Sequence, residues 1–242
     1  MASVSELRTD TPAGWRQRLS FGAYRYAEAA RLAQTNHQTI VAWLKLVQRE
    51  RAVSESGTAD QLKLLSYLQL LELAVVARFR RSGVRLADIA SFQRALIRRG
   101  VLRDEPSAES RHPFALRSFM LDGVLQAVQR PDAWPTLERA LQQRQDSPIW
   151  SPIIGEFFDQ VEDDEHLIVR WYPRGREQGV VVDPRLSFGT PVIAGSGIPT
   201  YIVRERHTAG ETLDDIALDY GLTLWQVAAA VRFEHSLATP AA

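Results

Sequence analysis

Residues that could bind a metal ion or attack a substrate are scattered along this chain of 242 residues. The chain contains no Cys, which excludes thiolate metal sites, Cys nucleophiles and disulfides. Its His residues show neither the HxxxH nor the HExxH spacing that brings two imidazoles to one face of a helix. We therefore predict no metal site. The histidines are His37, His112, His166, His207 and His235.

Two other features could do chemistry, and each has a simpler structural explanation. Asp183 is the best single carboxylate, but Pro184 follows it, and such a pair is typical of a turn. A Gly-Ser-Gly run at residues 195–197 could approach a phosphate, yet no Walker lysine, dinucleotide fingerprint or GxSxG nucleophile accompanies it. We expect no catalytic residue, no cofactor and no enzymatic activity. An enzyme acting on a small molecule at the loop of residues 184–199 is the least supported alternative.

The distribution of charge indicates contacts with macromolecules instead. The formal net charge is zero, but residues 14–103 hold 16 Lys and Arg against 6 Asp and Glu, whereas residues 104–242 hold 12 against 21. A basic segment attracts the phosphates of a nucleic acid, and an acidic segment repels them. No apolar run approaches the ~20 residues of a membrane helix. We expect a soluble, cytoplasmic protein with no membrane contact.

The basic half begins with a pattern of two short helices. Residues 24–44 predict a helix-turn-helix. Asn36 suits the N-cap of the second helix. The predicted buried residues are Ala27, Ala30 and Leu32 in the first helix and Ile40, Trp43 and Leu44 in the second.

The second helix of such a motif enters the major groove, and its first residues meet the base edges. We predict base contacts from His37 and Gln38, with Thr39 near the phosphates. Residues 14–51 hold 7 bases and 2 acids, so attraction to phosphates is available, although a solvated basic helical hairpin is the alternative. The predicted DNA-binding residues are Arg25, His37, Gln38, Thr39, Lys45, Arg49 and Arg51.

Two longer helices are predicted next. The pattern of residues 61–81 is apolar on more than one side, so this helix must be covered by other elements or by a dimer partner. Residues 86–99 predict an amphipathic helix that ends at Gly100. The arrangement resembles that of MerR-like winged-helix regulators, with a very short wing.

The middle of the acidic half predicts small mixed elements. Residues 113–128 predict a hairpin with Asp122-Gly123 at its turn, because Asp-Gly suits a type I′ turn. Residues 134–143 predict a short helix, and residues 153–161 a further short element. The run Glu162–Glu165 predicts an acidic turn, solvated or facing a basic partner, before a strand at Leu167–Tyr172.

The last stretch predicts a strand at Val180–Val182, an irregular loop at residues 184–199 and three compact helices. Thr200–Ala209 forms the first of these, Thr212 with Asp215 caps the second, which ends at Gly221, and Thr223 with Gln226 caps the third. Leu224, Val227 and Val231 are predicted on the buried face of the third helix, and Trp225, Gln226, Ala229 and Arg232 on its exposed face.

The last two helices differ from the first helix-turn-helix in the sign of their net charge. Residues 211–235 hold five acids and one base, so protein binding is favoured over DNA binding. Packing of the three helices on their own domain is the alternative. The predicted partner-binding residues are Phe188, Ile193, Tyr201 and Trp225.

These motifs together resemble the large VapB-type antitoxins of type II toxin–antitoxin systems. The resemblance rests on YRYAEAARL and TIVAWL near the N-terminus, on the helix pair of residues 68–89, and above all on VVDPRLSFGTPV, GIPT and AGETLDDIALDYGLT. It implies a DNA-binding region that represses its own operon and a C-terminal, homeodomain-like region that binds a PIN-like ribonuclease toxin. Two positions depart from the pattern, because Gln34-Thr35 replaces a Gly-containing turn and Val41-Ala42 stands where paired arginines are common.

The expected fold is mainly α with small β hairpins, an α+β chain. It comprises a flexible tail (1–13), a helix-turn-helix DNA-binding domain of MerR-like winged type (14–110), a small α+β connecting region (111–178) and a C-terminal trihelical domain (179–237). The expected partners are a PIN-like ribonuclease toxin and operator double-stranded DNA, with the chain a homodimer or a hetero-oligomer with the toxin. A stand-alone MerR-like transcriptional regulator, with a C-terminal dimerisation module, is the main alternative.

Overall fold

A computed structural model describes residues 15–16, 19–48, 64–101, 111–117, 120 and 155–238. Within these residues the chain is mainly helical with three two-stranded antiparallel sheets, which confirms the mainly α, α+β part of the predicted fold. The helices are α1 (Tyr26–Leu32), α2 (His37–Gln48), α3 (Tyr67–Arg81), α4 (Leu86–Val101), α5 (Glu156–Asp159), α6 (Thr200–Thr208), α7 (Leu213–Tyr220) and α8 (Leu224–Ala238). The strands are β1 (Tyr24–Arg25), β2 (Leu64–Leu65), β3 (Val161–Asp164), β4 (Leu167–Trp171), β5 (Val180–Val181) and β6 (Val192–Ile193).

Helices α1 and α2 form the two-helix segment that the sequence predicts. Asn36 caps α2, since its Oδ1 accepts a hydrogen bond of 2.8 Å from the N–H of Thr39. The predicted buried face of α2 is confirmed at Ile40, Trp43 and Leu44. In α1 the prediction is wrong at one position: Ala27 is exposed, and the buried small residues are Ala29 and Ala30.

Helix α3 is buried on nearly all sides, as its apolar pattern predicts. It begins at Tyr67 rather than at Gln61, because Ser66 and Gln69 form a capping box. The two residues before Ser66 pair with β1 as strand β2. Helix α4 runs from Leu86 to Val101, as predicted to within two residues.

One hydrophobic core joins the two halves of the chain. Phe114 lies at its centre, 6.4 Å from the ring of Trp43, 6.4 Å from Phe79 and 6.1 Å from Phe92. The same core includes Phe157, the buried side of β4, Val180 and Val182 from the acidic half, and Phe233 of α8. Full burial of one such aromatic side chain stabilises the fold by about 1.5–3 kcal/mol. The core therefore extends across both of the predicted domain junctions at residues 110 and 178.

The first three residues of the acidic run lie in a strand rather than in a turn. Glu162, Asp163 and Asp164 belong to β3, and the turn consists of Glu165 and His166, both with positive φ. The predicted turn is therefore misplaced by three residues. Pairing with β4 fixes this register, because it places Val161 opposite Trp171 in the core.

The predicted hairpin of residues 113–128 is not formed at its start. Pro113–Ala115 make a 3-10 turn, and Leu116 bridges to Leu167 of β4. Proline occupies the first position of that turn, where its missing N–H costs nothing. The predicted Asp122-Gly123 turn and the helix at residues 134–143 lie outside the described residues.

The loop at residues 184–199 contains a strand that the sequence does not reveal. Val192–Ile193 forms β6 and pairs antiparallel with β5. Both residues of β6 are buried, so a segment read as irregular connector is part of a small sheet. The predicted strand at Val180–Val182 is confirmed, with Val182 bridging to Trp171.

The three C-terminal helices confirm the predicted capping. Thr212 Oγ1 accepts the N–H of Asp215 (3.2 Å), and Gly221 ends α7 with φ 63°. Thr223 and Gln226 form a capping box at the start of α8. A separate apolar cluster holds these helices together, formed by Ile193, Val203, Ile216, Ala217, Val227 and Ala230.

Two predictions about α8 are wrong. The sequence predicts Leu224 on the buried face, but half of its surface is accessible, and it predicts Ala229 on the exposed face, but Ala229 is buried. The helix ends at Ala238. Ala229 lies one helical turn before Phe233, which packs in the main core, so these two residues share the buried face of α8.

Candidate functional site

The first candidate surface is the exposed face of α2. His37 and Gln38 lie exposed at the N-terminus of the helix, Lys45 is exposed two turns later, and Thr39 is half-buried. The first turn of α2 contains no acidic residue. A helix N-terminus carries unpaired N–H groups and a partial positive charge, which favour a phosphate or another anion. The exposed residues of this face therefore carry no negative charge that would repel an anion.

Among the other predicted DNA contacts, Arg25 is separate from this face. Arg25 lies exposed in β1, paired with Leu64, and precedes α1 rather than lying on α2. It is close enough to Glu28 to oppose the rise that burial causes in the pKa of that carboxyl. Arg49 and Arg51 lie outside the described residues.

The turn between α1 and α2 is bound by residues from distant parts of the chain. Arg174 donates to the carbonyl oxygens of Arg31 (3.1 Å) and Leu32 (3.2 Å), and Arg81 donates to that of Gln34 (3.2 Å). Sequence reasoning missed these contacts, because Arg174 lies 143 residues from Arg31. The only local signal is Gln34, which occupies a position where Gly is usual.

The second candidate surface is the tip formed by the end of α7 and the start of α8. Leu218 is 83% exposed, Leu224 49% and Trp225 51%. These three residues flank the turn of residues 221–223 and are hereafter called the apolar tip. Asp214 is exposed four residues before Leu218, on the same face of α7. An exposed apolar group bordered by carboxylates is a composition suited to a protein partner.

The acidity around the tip is lower than the sequence count indicates. Arg206 on α6 donates hydrogen bonds to both Glu211 and Asp219. These bonds raise the pKa of Arg206 and lower that of Glu211. Residues 200–238 together hold six acids and three bases. The three-helix unit is still net acidic, but two of its carboxylates share the one positive charge of Arg206.

The side chain of Trp225 packs against the fold on one side and is exposed to solvent on the other. A Cβ added to Gly179 would lie 2.7 Å from two ring atoms of Trp225, so the edge of the indole rests on the Gly179 backbone. The carbonyl of Gly179 accepts the N–H of Ala194 at 2.9 Å. Part of the indole thus stabilises the junction between β5 and α8, and the remainder faces solvent.

The other predicted partner contacts have different environments. Phe188 is 76% exposed at the centre of a turn in which Ser187 (φ 43°), Phe188 (φ 55°) and Gly189 (φ 82°) are all left-handed. Tyr201 is exposed on α6. Ile193 is only 1% exposed and packs in the cluster between the C-terminal helices, so its prediction as a contact residue is wrong.

Asp183, the best single carboxylate in the sequence, forms ion pairs with two arginines. Asp183 is buried and accepts hydrogen bonds from Arg170 (2.9 Å) and from both the backbone and the side chain of Arg185. Burial acts to raise the pKa of Asp183, but the hydrogen bonds from these two arginines outweigh it and lower that pKa. In the described part of the chain, no group of three or more potential metal ligands is found. The described helices also include none long and apolar enough to cross a membrane.

Known proteins resemble this chain both in its C-terminal segment and along nearly its whole length. Residues 180–233, from β5 through most of α8, match a family described as "Protein of unknown function (DUF433)". The chain is 24% identical to a Mycobacterium tuberculosis protein (strain ATCC 25618 / H37Rv) named "Putative antitoxin VapB45", over 90% of this chain and 92% of that protein. The crystal structure of Rv2018 from Mycobacterium tuberculosis superposes with a TM-score of 0.67 at 23% identity, covering 88% of this chain and 99% of the other. The fold is therefore shared along nearly the whole chain.

Proposed function

We propose that this protein is the antitoxin of a type II toxin–antitoxin pair. It binds and neutralises a PIN-like ribonuclease toxin in the cytoplasm and represses its own operon by binding operator DNA. The apolar tip is the observation that supports the proposal most directly, since a protein partner would cover its three exposed apolar side chains. The similarity to a protein named as an antitoxin extends along 90% of the chain and supports the same function.

In this proposal α1 and α2 are the DNA-binding helix-turn-helix. His37 and Gln38 contact base edges, Thr39 and Lys45 contact phosphates, and the chain binds as a homodimer. Helices α3 and α4 complete a MerR-like winged-helix domain. The excess of 16 bases over 6 acids in residues 14–103 supports this assignment, because counterion release from DNA is the main source of affinity for such a surface.

The C-terminal unit of α6, α7 and α8 is homeodomain-like and binds the toxin rather than DNA. A ribonuclease carries a positive surface for its RNA substrate, and the net acidity of residues 200–238 is complementary to it. Complementary charge accelerates association, while the apolar tip provides the buried anchors that slow dissociation.

Co-expression with the protein encoded beside this gene tests the proposal. We expect the two to co-purify and the neighbour's ribonuclease activity to fall as the complex forms. Leu218→Ala should weaken the complex at least tenfold, whereas Phe21→Ala, which removes an exposed aromatic near β1, should leave it unchanged. If the two proteins do not associate, the antitoxin function is wrong and the stand-alone regulator becomes the better explanation. If Phe188→Ala and not Leu218→Ala disrupts the complex, the toxin binds the left-handed turn instead of the apolar tip.

A further inference from the structure

The turn between α1 and α2 has the geometry of a helix C-terminal motif that normally contains glycine. The N–H of Thr35 donates to Ala30 O (2.8 Å), and the N–H of Gln34 donates to Arg31 O (3.2 Å). This is the Schellman pattern, in which the residue after the cap is left-handed and usually Gly. Gln34 holds that position with φ 53°, and it carries the Cβ that disfavours this conformation.

Contacts from outside the two helices offset that local preference. Arg174 donates to Leu32 O and to Arg31 O, two carbonyls in the last turn of α1, and Arg31 O also accepts the N–H of Gln34. Its positive charge is also favourable next to a helix C-terminus. Arg81 from α3 donates to Gln34 O, and Gln34 Nε2 approaches Pro173 O at 3.5 Å.

Arg174 is itself fixed by the other half of the molecule. It follows β4 by three residues, and Trp171 at the end of β4 is fully buried in the main core. The guanidinium of Arg174 lies 5.8 Å from the ring of Phe233 on α8. Arg174 therefore fixes the turn relative to β4 and α8. Since α2 begins three residues after Gln34, the same contacts also fix the direction of α2.

We propose that Arg174 is a positioning residue for DNA recognition: it holds the left-handed Gln34 turn so that α2 presents His37 and Gln38 to the major groove. The proposal rests on the DNA-binding function proposed above. It makes the DNA-reading unit dependent on a residue far outside residues 14–110. It also predicts that a glycine at residue 34, which adopts the left-handed conformation without strain, removes the need for Arg174.

The test is a cycle of full-length variants: Arg174→Ala, Gln34→Gly and the double variant, with Arg176→Ala as the matched control. Arg176 lies two residues from Arg174 but bonds Glu162, Asp159 O and Val161 O, away from the turn. Binding to a fluorescent duplex of the promoter upstream of the gene is measured at several salt concentrations. Arg174→Ala should weaken binding about tenfold, with the slope of log affinity against log salt unchanged. The double variant should recover to within about twofold of the wild type, and Gln34→Gly and Arg176→Ala should bind normally.

Two results would overturn the proposal. One is unchanged affinity of Arg174→Ala. The other is a slope shallower by about one without rescue by Gln34→Gly, because that pattern belongs to a direct phosphate contact.

A second measurement separates this inference from the proposed function. Amide hydrogen exchange at Thr35 and Gln34 reports the turn itself and needs no DNA. Arg174→Ala should accelerate exchange at these two amides, and Gln34→Gly should restore it. If the wild type fails to bind the duplex, the DNA-binding function is wrong, while exchange still decides whether Arg174 holds the turn. If Arg174→Ala exchanges like the wild type, the positioning role is wrong whatever the DNA result.

Discussion

The hydroxyl of Tyr24 donates a hydrogen bond of 2.8 Å to the carbonyl oxygen of Gly189, 165 residues away. It ties β1, at the start of the basic half, to the left-handed turn that exposes Phe188. Burial raises the pKa of Tyr24, so the phenol stays protonated and keeps its role as donor at any physiological pH. The same contact explains why residue 189 is glycine: a Cβ there would collide with the Tyr24 hydroxyl.

Tyr24→Phe should therefore destabilise the fold without disturbing its packing. Removal of the hydroxyl leaves the Gly189 carbonyl without its partner in a buried site, which costs about 1–3 kcal/mol. Urea unfolding monitored by circular dichroism measures the difference. Tyr201→Phe is the control, since this tyrosine is exposed, and it should change the free energy of unfolding by less than about 0.5 kcal/mol. Equal effects in the two variants would contradict the assigned hydrogen bond.

Alanine variants of Trp225 and Leu218 should distinguish an effect on fold stability from an effect on partner binding. Trp225→Ala removes the edge of the indole from Gly179, so we expect a loss of about 1–2 kcal/mol in unfolding free energy together with weaker partner binding. Leu218 is 83% exposed, so Leu218→Ala should change stability by less than about 0.5 kcal/mol and still weaken binding. Thermal melts and pull-down with the neighbouring protein measure both quantities. A large stability loss in Leu218→Ala would show that the tip belongs to the fold.

Lys45→Ala should weaken DNA binding in a way that does not depend on sequence. A lost phosphate contact lowers affinity on all duplexes and makes the salt slope shallower by about one. Gln38→Ala should instead reduce the ratio of operator to random-duplex affinity, because it removes a base contact. Arg232→Ala is the control: it removes an exposed positive charge from α8 in the acidic unit. Equal losses in Lys45→Ala and Arg232→Ala would mean that the surface of α2 is not the DNA-binding site.

The ion pairs of Asp183 predict a pH dependence of stability. The pKa of Asp183 is lower in the folded protein than in the unfolded chain, so its stabilising effect is fully present above the unfolded pKa of about 3.9. That effect is lost as the pH falls through the folded pKa. Asp183→Asn should cost about 1.5–3 kcal/mol at neutral pH, because it removes charge-assisted bonds to Arg170 and Arg185. The gap between the melting curves of wild type and variant should narrow as the pH falls below about 4. A constant gap across that range would contradict the ionised role of Asp183.

Local signals in the sequence predict the starts of α2, α7 and α8 because the hydrogen bonds that cap these helices are local. The Asn36 cap, the Thr212 cap and the capping box of Thr223 with Gln226 each join atoms within three residues. The apolar faces of α2 and α3 are also visible, since periodicity determines which side of a helix is buried. These features gave the fold class and both helical units.

Several features that sequence reasoning missed depend on residues far apart in the chain. Val192–Ile193 is a strand because β5 is available to pair with it, and its own Gly and Pro neighbours indicate a loop. Arg206 on another helix pairs with both Glu211 and Asp219 and offsets one of their two charges, so a charge count over residues 211–235 overstates the acidity of the tip. The hydrogen bonds from Arg174 to the C-terminus of α1 join two distant parts of the chain, and no sequence pattern predicts them.

The buried contact of Glu72 with Gln93 and His112 supplies a last prediction, about the main core. Gln93 Nε2 donates to Glu72 Oε1 at 2.6 Å, and His112 Nδ1 lies 3.0 Å from Glu72 Oε2. All three side chains are buried, and they join α3, α4 and the segment leading into the turn of residues 113–115.

Removing one member of this contact leaves polar atoms buried without partners. Gln93→Leu should therefore lower the unfolding free energy by about 1–3 kcal/mol. The double variant Glu72→Leu with Gln93→Leu should cost less than the sum of the two single changes, because it removes both partners of the 2.6 Å bond. Urea unfolding of the four proteins in the cycle measures the coupling free energy between Glu72 and Gln93. Gln69→Leu, at the cap of α3, is the control for the loss of a glutamine elsewhere. Additive costs would show that Glu72 and Gln93 do not stabilise each other.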